Sequence, residues 1–220
     1  MRPLLSILTI IVLAASCTTA TDKTIQADNK FDTLPLPVDS ATFYFKTKAN
    51  WQDTTRDALD TFVNAWYSHM LFALKEPVLK EYTADKEIYR FTWLRSFNHP
   101  AVIRLEKQGD KVRLFSKISS GAGGYEPGKI MFDTTRNLTQ KQIDTINLKL
   151  DTAKFWDLQT ETRDRNGSDG SEWIIEVYKD NKYHMVVRWT PMKVTAFRKI
   201  GEYLLSISLI KNETGDYDDY

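Results

Sequence analysis

Residues 172–189 hold the densest group of side chains that could act on a ligand. Apolar residues alternate on both sides of Asp180-Asn181, a pair that tolerates the positive φ angles of a tight turn, so this stretch predicts a β-hairpin. Pairing its strands across that turn puts Trp173, His184 and Arg188 on one face, with Trp173 directly opposite Arg188. An arginine above an indole ring makes a cation–π contact. The pattern predicts that these three side chains contribute to a ligand site.

His184 could also act as an acid or a base if a carboxylate lay within hydrogen-bond distance. Glu172 and Glu176 belong to the same hairpin, which gives a hydrolase using His184, Arg188 and a Glu as one hypothesis. The alternative is a sheet strand with charged residues at its ends and a half-buried histidine. Because one histidine with scattered carboxylates fits both, we assign no catalytic residue.

A second polar group follows the first long strand. Pro100 restricts His99 to an extended or turn conformation, and Arg95 and Arg104 are near it in the sequence. These residues could form a basic site for a carboxylate or a phosphate, because guanidinium groups bind both. Equally, they could pair with acidic neighbours. Arg95 and His99 are therefore candidate ligand residues.

The glycine-rich stretch Gly121–Gly128 is either a loop that lets a ligand approach backbone amides or a plain turn between two strands. Its candidate ligand residues are Gly123, Gly124 and Tyr125. The spacing up to Lys129 approximates a phosphate-binding loop. However, Ile130 replaces the hydroxyl residue that would hold Mg²⁺, and a strand follows where a helix is required. These differences exclude a nucleotide site of that kind.

No pattern of metal ligands is convincing. Residues 164–172 superficially resemble a calcium loop, but Gly170 is one place late and the bidentate glutamate is at the ninth place instead of the twelfth. The histidines at 69, 99 and 184 belong to separate elements, without ligand spacing. We predict no metal and no cofactor.

The remaining patterns predict the elements that position these groups. Helical periodicity occurs at 59–74, after a capping-box pattern at Thr139 and Gln142, and after Thr190-Pro191, where Thr190 would be the N-cap. Alternating strands are predicted at 88–97, 101–106, 112–118 and 130–133, besides the hairpin. The order predicts an α+β domain, with a largely antiparallel sheet in one piece or two sub-sheets and three helices packed on one face.

The first residues are typical of an export signal. Met1-Arg2-Pro3 precedes an apolar run of about twelve residues, whereas a membrane-spanning helix needs roughly 20. The run ends in Leu13-Ala14-Ala15-Ser16-Cys17, which resembles the lipobox of bacterial lipoproteins, with Ala14 where leucine is usual. The resemblance implies cleavage after residue 16 and lipidation of Cys17. Ordinary secretion with cleavage near Ala15 is the alternative.

These signals divide the chain into four parts. They are a signal peptide at 1–16, a lipidated cysteine with a flexible tether at 17–39, a single α+β domain at 40–211, and an acidic frayed tail at 212–220. Cys17 is the only cysteine, so one copy of the chain has no internal disulfide and no thiol chemistry in its folded part. The domain must be stabilised by core burial.

The charge balance restricts the class of partner. The chain has 30 Lys+Arg and 29 Asp+Glu, and loss of Arg2 with the signal makes the two numbers equal. A balanced charge argues against nucleic acid as a partner. We expect contact with the membrane through lipid on Cys17, and an unidentified protein or small molecule as the partner in the envelope. Thr18, next to the lipidated cysteine, favours the outer membrane over the inner one.

Several segments also resemble a family of uncharacterised bacterial envelope proteins. They are 91–97, the Gly121–Gly128 loop, 170–173 and 183–191, which together span roughly residues 88–206. The resemblance implies one domain across this region. The family has no assigned activity, so it implies no functional residue. The sequence favours a non-catalytic binding or accessory lipoprotein of the envelope over an envelope hydrolase.

Overall fold

The computed structural model describes residues 31, 33–162 and 169–210. Cys17, most of the calcium-like loop and the acidic tail lie outside the described residues. The helices are α1 (Thr61–Ala73), α2 (Gln140–Thr152) and α3 (Ala196–Ile207), with a 3₁₀ turn at Phe155–Asp157. The strands are β1 (Lys46–Thr47), β2 (Ala58–Leu59), β3 (Glu87–Arg95), β4 (Ala101–Gln108), β5 (Lys111–Ser119), β6 (Ile130–Asn137), β7 (Ser171–Lys179) and β8 (Lys182–Trp189).

Six of these strands form one antiparallel sheet in the order β6-β5-β4-β3-β7-β8, and β1 pairs with β2 in a small parallel sheet. The α+β class with a largely antiparallel sheet is confirmed. The β7–β8 hairpin has the predicted register, with Tyr178 opposite Tyr183. Asp180 and Asn181 have φ angles of 52° and 57°, as a two-residue turn with two left-handed positions requires.

The helices cover both faces of the sheet. α2 and α3 pack on the face that carries Phe91 and Ile175, whereas α1 packs on the opposite face, against Leu94 and Ile174. The expectation that all helices share one face is therefore wrong. The central strands β3 and β7 are buried along nearly their whole length, on both sides, and each apolar side needs its own cover.

The start of α2 follows the predicted cap. The side chain of Gln142 accepts the backbone N–H of Thr139 at 2.9 Å, which satisfies a donor that the first helical turn leaves free.

The start of α3 was predicted wrongly. The Thr190 hydroxyl accepts the backbone N–H of Ser171 at 2.9 Å, so it ties the end of the hairpin instead of capping a helix. Thr190 also has a φ of 37°, outside helical geometry. The helix begins five residues later, where the hydroxyl of Thr195 accepts the N–H of Arg198 at 3.3 Å.

A network of buried charges lies between the sheet and the end of α1. Glu76 is its centre: its carboxylate is 2.8 Å from Arg104 Nε, 3.0 Å from Lys117 Nζ and 3.7 Å from Arg90 Nη1. Arg90 in turn holds both oxygens of Glu176, at 2.6 and 2.7 Å. Burial alone would raise the pKa of Glu76, but the three cations outweigh it and hold the pKa below its ordinary value.

The packed part of the chain includes a residue before position 40. Phe31 is 6% exposed, and its ring lies under Lys86, 4.3 Å away, and Arg113, 4.4 Å away. These cation–π contacts hold Phe31 against β5 and against the residue that precedes β3.

Candidate functional site

Five of the eight predicted ligand residues meet at one end of the sheet, where β3 and β5 both end. They are Arg95, His99, Gly123, Gly124 and Tyr125. His99 Nδ1 lies 2.9 Å from the carbonyl oxygen of Gly121, and the N–H of Gly124 donates to the carbonyl of Ser96 at 3.3 Å. Arg95 is buried, with its guanidinium 4.4 Å from the ring of Trp93. The structure therefore brings this half of the predicted site together.

The space beside Gly123 and Gly124 is filled by the backbone of residues 94–96 and not by open room for a ligand. A Cβ added at Gly123 would lie 2.6 Å from the backbone nitrogen of Arg95, and one at Gly124 would lie 2.9 Å from the carbonyl oxygen of Ser96. The carbonyl of Gly123 also accepts the indole N–H of Trp66 at 2.9 Å. The glycines thus let the loop pack against the end of β3.

Two of the hairpin candidates are engaged in packing. Trp173 is fully buried, and the guanidinium of Arg198 lies 4.9 Å from its ring centroid. Arg188 donates from Nη1 to the carbonyl of Gln159 at 3.1 Å, and its guanidinium lies 5.6 Å from the Phe197 ring. Both side chains attach neighbouring segments to the hairpin.

His184 lies far from the glycine loop. Ser171 of β7 pairs with Arg95, whereas Val177 of the same strand pairs with His184. Six residues separate these positions, which is about 20 Å at roughly 3.3 Å per residue. His184 therefore lies towards the opposite end of the sheet from the glycine loop, whereas Trp173 and its partner Arg188 pair close to the Arg95 end.

The two glutamates of the hairpin lie on the other face from His184, because side chains alternate along a strand. Glu176 binds Arg90 with both oxygens, and Glu172 is wholly buried. The carboxylate beside His184 is Asp57, which the sequence reasoning missed.

His184 is wholly buried, and both of its ring nitrogens contact protein oxygens. Nδ1 lies 2.6 Å from Asp57 Oδ1, and Nε2 lies 3.0 Å from the carbonyl oxygen of Leu158. The same Asp57 oxygen accepts the backbone N–H of Met185 at 2.9 Å. The imidazole therefore ties the loop before β2 and the segment after α2 to the edge strand β8.

Asp57 is held in an unusual conformation. Its φ is 62°, a left-handed value that costs a non-glycine residue energy, and its backbone N–H donates to Thr160 Oγ1 at 2.8 Å. Such strain is often found at functional sites, where the surrounding contacts maintain it.

Arg56 lies at the surface beside this pair. One of its Nη groups donates to the carbonyl of Trp156, and its Nε is 4.0 Å from Asp57 Oδ2. Nε is also 3.1 Å from His184 Nδ1, but a nitrogen that donates to the carboxylate has no lone pair left to accept. The attraction of Arg56 is therefore to Asp57. Its side chain is 53% exposed.

A cleft of about 640 Å³ opens beside Arg56. We call it the Arg56 cleft, and the lining side chains that carry its chemistry are Arg56, Asn147, Asp151, Trp156, Asp180 and Lys182. One wall is α2, the second is the turn end of the β7–β8 hairpin, and the third is Arg56 with the 3₁₀ turn. The volume lies in the range of small-molecule sites, roughly 300–1,000 Å³.

Sequence reasoning selected His184 for its residue type, but His184 does not line the cleft, and none of the residues that do was chosen as a ligand residue. Arg56-Asp57 and Trp156 belong to irregular segments, where no periodicity assigns a side chain to a face. Only the folded structure brings them together: the Asp57 carboxylate contacts His184, which is 127 residues away in the sequence.

No protein-family model matches the chain, and no curated protein matches it. Within the ranges that the structure describes, no helix is long and apolar enough to cross a bilayer. Nor do three or more His, Cys, Asp or Glu side chains of those ranges group as metal ligands would.

Proposed function

We propose that this protein is a lipoprotein of the bacterial cell envelope that binds a ligand in the Arg56 cleft without transforming it. Lipid on Cys17 anchors the protein to the membrane, with the outer membrane favoured over the inner one. The partner is a small molecule of the envelope, and nucleic acid is not a partner.

The observation that carries the non-catalytic part is the engagement of both His184 nitrogens. A general base must lie within hydrogen-bond reach of the proton that it removes. Here Asp57 occupies Nδ1 and the Leu158 carbonyl occupies Nε2, and the ring is wholly buried. The arrangement supports a structural role for His184.

The binding part is supported by what the cleft presents. A half-exposed guanidinium and an indole ring lie at fixed positions, because Arg56 donates to the carbonyl of Trp156 and the Trp156 ring stacks on His184 with 6.1 Å between centroids. Fixed polar groups around an apolar surface are typical of small-molecule sites.

The anchor is tested by growing cells with radiolabelled palmitate. We expect label in the wild-type protein and in the membrane fraction, and none in the Cys17→Ser variant. Absence of label from the wild-type protein would refute the lipidation of Cys17.

Binding is tested with the full chain in detergent. The small-molecule extract of bacterial envelopes is equilibrated with the protein across a dialysis membrane, and the retained molecules are identified by mass spectrometry. We expect one compound to be retained unchanged, to be lost with Arg56→Gln and to be kept with Lys193→Gln, which alters an exposed lysine outside the cleft. Conversion of the compound to a product, or equal retention by the two variants, refutes non-catalytic binding in this cleft.

A further inference from the structure

We infer that the Arg56 cleft binds a saccharide that carries a carboxylate group; this inference rests on the proposed function and specifies the ligand. Three features of the cleft carry it: a preoriented guanidinium, two exposed carboxylates on the other walls, and an indole ring in the same lining.

The guanidinium offers an unused edge. Arg56 uses one Nη group on the carbonyl of Trp156, and its other Nη group makes no hydrogen bond within the described part of the chain. The side chain is 53% exposed, so this edge is open to solvent. A guanidinium held in place loses little further entropy on binding, and its planar N–H groups match a carboxylate.

The opposite walls offer acceptors. Asp151 on α2 and Asp180 in the hairpin turn are exposed, and among the described residues neither carboxylate accepts a hydrogen bond. Acceptors of this kind are satisfied by hydroxyl donors. The exposed ammonium group of Lys182 balances part of their charge.

The indole ring completes the match. Trp156 is half-buried, with its ring stacked on His184 at an interplanar angle of 28°. It offers an apolar flat surface beside polar groups, which fits the C–H face of a sugar ring whose edges carry hydroxyls.

The charges of the cleft decide between ligand classes. The cleft is lined by three cationic side chains and three carboxylates, so it has no charge surplus for a phosphate dianion. They are Arg56, Lys179 and Lys182, and Asp57, Asp151 and Asp180. A ligand with one carboxylate and several hydroxyl groups can bind both the cationic side chains and the carboxylates of the cleft. A free amino acid or dipeptide would satisfy the charges but leaves the indole surface uncovered.

Saturation-transfer difference NMR tests this with the full chain in detergent. The probes are glucuronic acid, glucose and alanyl-alanine. Glucose has a hydroxymethyl group in place of the carboxylate, and alanyl-alanine has a carboxylate and an ammonium group but no sugar ring. We expect saturation transfer to the sugar-ring protons of glucuronic acid, and binding of glucose and of the dipeptide at least tenfold weaker. Arg56→Gln should weaken glucuronic acid binding roughly 10- to 100-fold, because hydrogen bonds to charged groups contribute about 1.5–3 kcal/mol. Lys193→Gln should leave it unchanged.

If glucose binds as tightly as glucuronic acid, the ligand's carboxylate has no role in binding. If the dipeptide binds more tightly than glucuronic acid, the ligand is not a saccharide. Failure of all three probes overturns the inference. If the dialysis experiment still retains an Arg56-dependent compound, the proposed function stands and only the ligand class is wrong.

Discussion

Glu76→Gln should destabilise the fold strongly, although it replaces only one carboxylate oxygen with an amide NH2 group. The substitution removes the negative charge that Arg104, Lys117 and Arg90 share at 2.8, 3.0 and 3.7 Å, in a place where Glu76 is wholly buried. The cations stay in a low-dielectric environment with one carboxylate fewer. Uncompensated buried charge is expensive, since the water that would solvate it is excluded.

The expected loss of unfolding free energy is about 3–5 kcal/mol at pH 7, the range for breaking one partner of a buried ion pair. For a domain of this size that lowers Tm by about 6–20 °C. The difference should shrink in acid. Because the folded-state pKa of Glu76 is lowered, its contribution is complete above the ordinary pKa and is lost as pH falls towards the folded value, by about 1.4 kcal/mol per pH unit.

Urea denaturation followed by tryptophan fluorescence, at pH 7 and pH 3.5, measures both effects. Glu202→Gln is the matched control: Glu202 also has two cationic partners, Arg198 at 2.9 Å and Lys199 at 2.7 Å, but it lies partly exposed on a helix. There we expect at most about 1 kcal/mol. Equal losses in the two variants, or a Glu76→Gln effect that does not diminish at pH 3.5, would refute the account of the buried network.

Three further outcomes follow from the contacts. His184→Gln should lower the unfolding free energy by about 1–3 kcal/mol, because it removes the ring hydrogen bond to the nearly buried Asp57 carboxylate. Gly201→Ala should lower it by about 1–3 kcal/mol, because the added methyl would lie 2.6 Å from the Trp173 ring. In NMR titrations Asp53 should have a pKa of about 2, because a threonine hydroxyl and two backbone N–H groups of its own loop donate to the carboxylate.

Each of these measurements has a contradicting result. For Gly201→Ala the control is Ser206→Ala on the exposed side of the same helix, which should be neutral or stabilising because alanine favours helix. A stabilising Gly201→Ala would mean that the helix is not pressed against the sheet. An unchanged urea midpoint of His184→Gln would contradict the stabilising contacts of His184 with Asp57 and Leu158. An Asp53 pKa near 3.8 would contradict the hydrogen bonds that its carboxylate accepts within the loop.

The sequence determined those features that neighbouring residues decide. The β7–β8 register followed from the Asp180-Asn181 turn, since a two-residue turn fixes which residues face each other. The start of α2 followed from Thr139 and Gln142, whose cap is complete within one helical turn. The α+β class followed from the order of such local patterns.

The tertiary structure alone decided the features that distant segments share. Thr190 has the residue type of a cap, but a strand that pairs beside it uses its hydroxyl, so α3 begins elsewhere. The sequence shows that β3 and β7 are apolar but not which helix covers each side. His184 was selected by residue type, yet its partner is Asp57, 127 residues earlier in an irregular loop. Periodicity assigns side chains to faces only within regular elements. The cleft joins one such element, α2, to the hairpin turn and to the segments around Arg56 and Trp156, where no periodicity applies.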